Sequence, residues 1–143
     1  MNEQEIKDKI EGADADVTKE CFFGAIVSAG TIGHIKHLQQ TGEGSFAAHL
    51  ALDEFYKTVR KIADSVIETY QGYAKEIVKY DLTCMIDCAD EAITAEDYLG
   101  DLREIIADYR YTYIPKTETH IHNELDNLMT LIDGVVYKLT FLR

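Results

Sequence analysis

The chain has 143 residues, of which 46% are apolar and 28% are charged, which suits one domain with a continuous core. Its net charge of −12 disfavours sequence-independent contact with nucleic acid phosphates, so DNA binding is not expected. No apolar stretch is long enough to span a membrane and the first residues do not resemble a signal peptide, so we expect a cytoplasmic protein. We expect a single domain over residues 1–143, with 1–16 mobile or loosely packed.

Three cysteines, Cys21, Cys84 and Cys88, cannot all pair within one chain. No two of them have the two-residue spacing of a zinc knuckle or a redox motif. The sequence therefore predicts free thiols, buried or partly buried, in a reducing compartment.

Helical periodicity dominates the chain, and no alternating pattern predicts a sheet. The predicted helices cover residues 17–40, 45–70, 94–113 and 117 or 119–142. Gly42 and Gly44 separate the first two helices, and Gln71-Gly72 is typical of a helix stop. Thr94 is a candidate N-cap for the third helix, which should end before Pro115.

The connection between the second and third helices, residues 73–93, is long, and its apolar residues hint at a short helix within it. Four long helices with one long middle connection predict an all-α, ferritin-like four-helix bundle with a partly helical crossover. In such a bundle the second and third helices are parallel, so their connection must travel the length of the bundle.

The second predicted helix carries four potential metal ligands on one face. His49, Asp53, Asp64 and Glu68 fall within about a quarter of the helix circumference, apart from the apolar stripe. His49 and Asp53 are one turn apart, as are Asp64 and Glu68, but the two pairs are separated by roughly 16 Å of helix. One metal ion cannot contact both pairs, so each chain carries two half-sites.

An antiparallel copy of this helix, related by a two-fold axis near Thr58 and Val59, would complete both half-sites. His49 and Asp53 of one chain would then face Asp64 and Glu68 of the other chain. Because the axis makes this contact twice, a dimer would hold two identical sites. Apolar residues on this face, Phe46, Leu50 and Ile67, are candidates for burial against the partner.

Two histidines of the first helix lie near its end, where the short loop folds back towards His49. His34 or His37 would complete a set of two imidazoles and three carboxylates, although a surface or loop-facing position is the simpler interpretation for His34. Such mixed ligands suit Fe(II), Mn(II) or Zn(II), and redox chemistry selects iron.

The set His37, His49, Asp53, Asp64 and Glu68 resembles the intersubunit ferroxidase site of the Dps branch of the ferritin superfamily, the starvation-induced mini-ferritins. The resemblance lies in the gaps of twelve, four, eleven and four residues, and it covers roughly residues 32–72. Leu38 stands where the family usually has a tryptophan, and this chain has none.

The resemblance implies a four-helix subunit that assembles into a hollow dodecamer. It implies that Fe(II) binds at the shared site and is oxidised, with peroxide the preferred oxidant, and that ferric mineral collects in an acidic cavity. By the same resemblance, His37, His49 and Asp53 come from one subunit and Asp64 and Glu68 from its mate. No organic cofactor is expected.

A second cluster opens the last helix, where Glu118, His122 and Asp126 share one face at four-residue steps. The simpler interpretation is a solvent-exposed helix start with favourable acidic charge; the functional one is an iron entry path or an adventitious metal site. For the whole protein, the alternative function is a metal-free acidic helical protein with a structural or interaction role, because a fold does not establish an activity.

Overall fold

The computed structural model describes residues 17–143, so the prediction for residues 1–16 lies outside the described part of the chain. Most of these described residues are helical and none forms a strand, which confirms the all-α prediction. The helices are α1 (Lys19–Leu38), α2 (Ser45–Ala74), the short α3 (Thr83–Ile86), α4 (Ala95–Tyr113) and α5 (Thr119–Phe141), with a 3₁₀ turn at Asp87–Ala89. Within residues 17–143, no helix has both the length and the apolar character that crossing a membrane requires.

The start and the end of α4 follow the predicted signals. The Thr94 side chain accepts a hydrogen bond from the Asp97 backbone N–H at 3.1 Å, and the helix ends at Tyr113, directly before extended Ile114 and Pro115.

The predicted stop of the second helix at Gln71-Gly72 is wrong. Helix α2 continues to Ala74, and the capping residue Lys75, with a left-handed φ of 55°, turns the chain. The Gln71 side chain instead accepts a hydrogen bond from the Val78 backbone N–H at 2.9 Å. Gln71 therefore fixes the chain that leaves α2 rather than marking the end of the helix.

The four long helices pack in the cyclic order α1, α2, α5, α4, so that α1 lies diagonally opposite α5 and α2 lies diagonally opposite α4. Contacts between helix ends give the directions: His37 with His49, Phe22 with Tyr113, Arg110 with His122, and Lys138 with Glu54. Each contact joins the end of one helix to the start of its neighbour. Neighbours are therefore antiparallel, and the diagonal pair α2 and α4 is parallel.

The crossover between α2 and α4 follows α1 from its start to its end. Near the start of α1, the Asp81 backbone N–H donates to the Glu20 carbonyl at 3.0 Å. Near its end, the buried Lys36 ammonium donates to the carbonyls of Asp90 at 2.9 Å and Ile93 at 2.6 Å. The short helix expected in this connection is present as α3 and the 3₁₀ turn. A buried cation that satisfies two carbonyls thus anchors the crossover.

The core stripe predicted for α2 is buried, and the apolar face of α5 is buried with it. The fully enclosed residues of these stripes include Leu52, Phe55, Val59, Val66, Ile121, Leu125, Leu128 and Ile132. Ile67 was predicted on the ligand face of α2, but it is only 6% exposed and belongs to the core of its own chain. It is therefore not available for a partner.

The prediction of three free thiols is wrong for two of them. Cys21 and Cys84 form a disulfide, with Cα atoms 5.9 Å apart, and only Cys88 remains a free, buried thiol. Residues 63 positions apart meet because the crossover lies against the start of α1. The pairing depends on tertiary packing, which cysteine spacing does not reveal.

One buried hydroxyl leads to a stability prediction. Tyr98 is fully buried, and its hydroxyl has no hydrogen-bond partner among the described residues; burial also raises the pKa of Tyr98. We expect Tyr98→Phe to raise the free energy of unfolding by about 1 kcal/mol in urea denaturation, because an unpaired buried hydroxyl is costly. Tyr113→Phe is the control and should destabilise, since the Tyr113 hydroxyl donates to the Val17 carbonyl. A loss of stability in Tyr98→Phe would contradict an unpaired hydroxyl.

Candidate functional site

The hairpin between α1 and α2 brings two predicted ligands, His37 and His49, into contact. His37 lies in the last turn of α1 and His49 in the second turn of α2. The connection between the helices turns at Gly42 and Gly44, whose φ values of 86° and 76° lie in the left-handed region that glycine tolerates. The two imidazole rings stack with centroids 3.6 Å apart.

The stacked histidines hold each other through reciprocal hydrogen bonds. His37 Nδ1–H donates to the His49 carbonyl at 2.7 Å, and His49 Nδ1–H donates to the His37 carbonyl at 3.1 Å. A carbonyl only accepts, so each Nδ1 must carry its proton. In the neutral ring, each Nε2 then offers a lone pair, which is the arrangement that metal-binding histidines use.

Asp53 lies one turn after His49 and completes this half-site. Its Oδ1 is 4.0 Å from His37 Nε2, and its Oδ2 accepts a hydrogen bond from Lys57 at 2.8 Å. The hydrogen bond from Lys57 lowers the pKa of Asp53. The half-site therefore presents one anionic carboxylate beside two imidazoles.

His34 does not join the histidine pair. Its ring stacks on Tyr56 with centroids 4.3 Å apart and lies 6.0 Å from the His37 ring. The His34 ring is half-buried and packs on an aromatic neighbour rather than facing the loop.

The second half-site, Asp64 and Glu68, is exposed on the same helix. The 11 residues between Asp53 and Asp64 correspond to roughly 16 Å of helix, so one chain does not bring the two half-sites together. Within residues 17–143 of a single chain, neither half-site forms a group of three converging ligand atoms. A complete five-ligand site requires a second chain.

Three large apolar side chains close to His49 are exposed: Leu38, Phe46 and Leu50. Phe46 is 74% exposed, a large fraction for an aromatic side chain of this size. In sequence, Leu38 follows His37, and Phe46 and Leu50 lie on either side of His49, in the region where the sequence predicts a partner helix.

The weaker cluster at the start of α5 is organised by an arginine of α4. His122 is buried: its Nδ1 accepts from Arg110 Nε at 3.1 Å, and its Nε2–H faces the carbonyls of Ile114 and Pro115 at 3.2 and 3.1 Å. Asp126 pairs with Arg110 Nη1 at 2.8 Å.

Because both nitrogens of His122 are engaged, the geometry argues against this residue as a metal ligand. The Glu118 carboxylate lies 3.9 Å from Nδ1 of exposed His120. The solvent-exposed interpretation thus fits Asp126, which is exposed, but not His122. Arg110 is the residue that pattern analysis missed, since it belongs to a different predicted helix.

A group that the sequence analysis did not identify lies at the other end of α1. Ligand atoms of Cys21, Asp81 and Cys84 all lie within 4.8 Å of one another, although the two sulfurs form the disulfide. Hydrogen bonds from Thr83 lower the pKa of Asp81. The available signal was the short Asp-x-x-Cys spacing, but Cys21 joins it only through folding.

Comparison with known proteins gives one match. The model of a protein family described as a family of unknown function, DUF5856, matches residues 37–139, well over half of the chain. The chain belongs to the DUF5856 family. No curated protein and no solved structure matches it. The DUF5856 match begins at His37 and includes both half-sites, Arg110 and the whole of α4.

Lys57 gives a prediction about metal affinity in this DUF5856 chain. It holds Asp53 Oδ2 and adds a positive charge beside the half-site. The sequence analysis predicts that this half-site binds Fe(II); on that hypothesis we expect Lys57→Met to tighten Fe(II) binding by up to about fivefold in anaerobic calorimetry, because the competing cation is removed. Lys79→Met, which removes the same charge from the exposed crossover, is the control and should leave the affinity unchanged. Weaker binding in Lys57→Met would show that Lys57 supports the site.

Proposed function

We propose that this protein binds Fe(II) at sites shared between two chains, oxidises it and sequesters the ferric product, as the Dps-like mini-ferritins do. The observation that carries the proposal is the reciprocal hydrogen bonding of His37 and His49. It fixes both imidazoles with Nε2 free, beside the anionic carboxylate of Asp53. A stacked pair with both Nδ1 atoms satisfied by carbonyls has no need of a metal to hold it, so the half-site is preorganised.

The packing of the helices supports a ferritin-like four-helix bundle. Antiparallel neighbours, the parallel diagonal pair α2 and α4, and a crossover that follows the length of α1 are what that topology requires. The ligands of the half-site then come from the hairpin of α1 and α2, which packs as one unit.

The two-fold dimer follows from the incomplete half-sites. An axis near Thr58 and Val59 pairs His49 with the partner's Glu68 and Asp53 with the partner's Asp64. Exposed Phe46 and Leu50 flank the histidine pair, and their burial would supply part of the association energy. Each dimer would hold two sites, and each site would have two imidazoles and three carboxylates. Closed assembly of dimers would form a hollow shell.

The reaction at each site is an oxidation of substrate iron. Two Fe(II) ions give one electron each to one hydrogen peroxide, and with two water molecules they form two ferric oxyhydroxide units and release four protons. The anionic carboxylates stabilise the higher charge of Fe(III), and the histidine Nε2 atoms favour capture of Fe(II). Asp53 and Glu68 would bind iron directly, while Asp64 would act through its neighbours.

The test compares wild type with His49→Ala/Asp53→Ala. Purified protein is titrated with Fe(II) without oxygen in a calorimeter, then exposed to peroxide while ferric absorbance is followed. We expect saturable binding and rapid oxidation in wild type, and loss of both in the double variant. Binding no stronger than in the variant would reject the proposal and favour the metal-free structural role. Parallel titrations with Zn(II) and Mn(II) identify the preferred ion.

A further inference from the structure

The group of Cys21, Asp81 and Cys84 is separate from the iron half-sites. Cys21 lies in the first turn of α1, and the 16 residues from there to His37 correspond to roughly 24 Å of helix. None of its side chains takes part in the proposed iron chemistry.

The Asp81 carboxylate is held towards the sulfur atoms. Its Oδ1 accepts hydrogen bonds from the Thr83 backbone N–H at 2.9 Å and from the Thr83 hydroxyl at 2.6 Å. Its Oδ2 is left towards Cys21 Sγ, at 3.7 Å. The backbone N–H of Asp81 is also bonded, to the Glu20 carbonyl at 3.0 Å, so the crossover holds this carboxylate against α1.

The position of the carboxylate relative to Cys21 suits one small cation. Asp81 Oδ2 lies 3.7 Å from Cys21 Sγ, close to the roughly 3.5 Å that a cation about 2.3 Å from sulfur and about 2.0 Å from oxygen requires. The two sulfurs are bonded to each other in the disulfide, so after reduction they must move apart to roughly 3.8 Å to share the cation. Two thiolates and one carboxylate favour a thiophilic divalent ion such as Zn²⁺ over Mg²⁺ or Ca²⁺. Three protein ligands leave one position open.

The surroundings of Cys84 favour a cation rather than a reactive thiolate. A surface cleft of about 400 Å³ beside Cys84 is lined by three acids, Asp101, Glu104 and Asp108. Negative charge attracts divalent cations and opposes formation of an unpaired thiolate.

We propose that, in the reduced chain, Cys21, Asp81 and Cys84 form a binding site for one thiophilic divalent cation, and that the Cys21–Cys84 disulfide is the oxidised, metal-free form. A dithiol reductant supplies the two electrons and two protons that convert the disulfide to two thiols; a phosphine supplies the two electrons and becomes its oxide, and one water supplies the oxygen and the two protons. Both thiols lose their protons when the metal binds. Peroxide reverses this: two thiolates, one hydrogen peroxide and two protons give the disulfide and two waters, and the cation is released.

The test uses Co²⁺ as a spectroscopic probe on the full chain, reduced with a phosphine, in the His49→Ala/Asp53→Ala background that lacks the iron half-site. We expect one Co²⁺ per chain with a near-ultraviolet thiolate-to-cobalt absorption band, which Zn²⁺ abolishes by displacement. Absence of this band in the reduced chain would overturn the proposal. Because the background variant removes the imidazole site, the result does not depend on the iron proposal.

Variants identify the ligands. We expect Cys84→Ser to weaken Co²⁺ binding by at least about 100-fold and Asp81→Asn by about tenfold, since each removes a charged ligand. Cys88→Ser is the matched control, because it removes the free thiol four residues away, and should change the affinity by less than about twofold. An unchanged affinity in Cys84→Ser would overturn the proposal, as would loss of the band only in Cys88→Ser.

The oxidised form is tested on the cobalt-loaded chain. Peroxide should lower the number of titratable thiols from three to one per chain and release Co²⁺, and the phosphine should restore both. If Co²⁺ stayed bound after the number of titratable thiols had fallen to one per chain, disulfide formation would not abolish metal binding, and the assignment of the disulfide as the metal-free form would be wrong.

Discussion

Mixing two inactive variants should restore activity if the iron site is shared between chains. One variant, His49→Ala/Asp53→Ala, lacks the first half-site, and the other, Asp64→Asn/Glu68→Gln, lacks the second. We expect each alone to lose peroxide-dependent Fe(II) oxidation. Co-expression of the two should recover about a quarter of the wild-type sites, because random pairing makes half of the dimers mixed and a mixed dimer has one intact site out of two.

The same experiment has an internal control. Mixed dimers isolated with two different affinity tags should carry half of the wild-type sites, while each variant purified alone carries none. Light scattering should show that each variant still associates, which excludes loss of the dimer as the cause of inactivity. Mixed dimers without activity would contradict a site shared between two chains.

Gly24→Ala should destabilise the protein strongly. An added Cβ at Gly24 would lie 2.0 Å from the Asp81 carbonyl oxygen and 2.8 Å from its carbonyl carbon. These are backbone atoms of the crossover, which cannot move away as the end of a flexible side chain can. We expect a loss of about 2–3 kcal/mol in the free energy of unfolding, measured by urea denaturation.

Gly100→Ala in α4 is the matched control. Apart from its chain neighbours and the nearby backbone of its own helix, no heavy atom lies within 4 Å of the position where its Cβ would be built, so the change should stabilise α4 by about 0.5–1 kcal/mol through helix propensity. Equal effects of the two changes would contradict the close approach of the crossover to α1.

Local signals predicted the helices well and long-range contacts poorly. Thr94 and Pro115 act within a few residues of their own positions, so the limits of α4 were readable from the sequence. The Gln71-Gly72 pattern predicted the wrong helix end, because the Gln71 side chain accepts a hydrogen bond from Val78, which lies beyond the end of the helix. The position at which a helix ends therefore depends on the hydrogen-bond partners of the residues that follow it.

In the candidate site, too, contacts between residues near in sequence were predictable, whereas contacts between distant residues were not. The positions of His37, His49 and Asp53 follow from a hairpin with a short loop, so their proximity was predictable. Arg110, which donates hydrogen bonds to His122, and Cys21, which forms the disulfide with Cys84, come from other parts of the chain. Their identity depends on which helices become neighbours, and no periodicity encodes that choice.

The attachment of the crossover along α1 has a consequence for the order of folding. Its bonds join residues 54, 57 and 63 positions apart, whereas the contacts within the two hairpins, such as His37 with His49, span only 12. Closing a long loop costs more chain entropy than closing a short one. We therefore expect each hairpin to form before the crossover docks against α1.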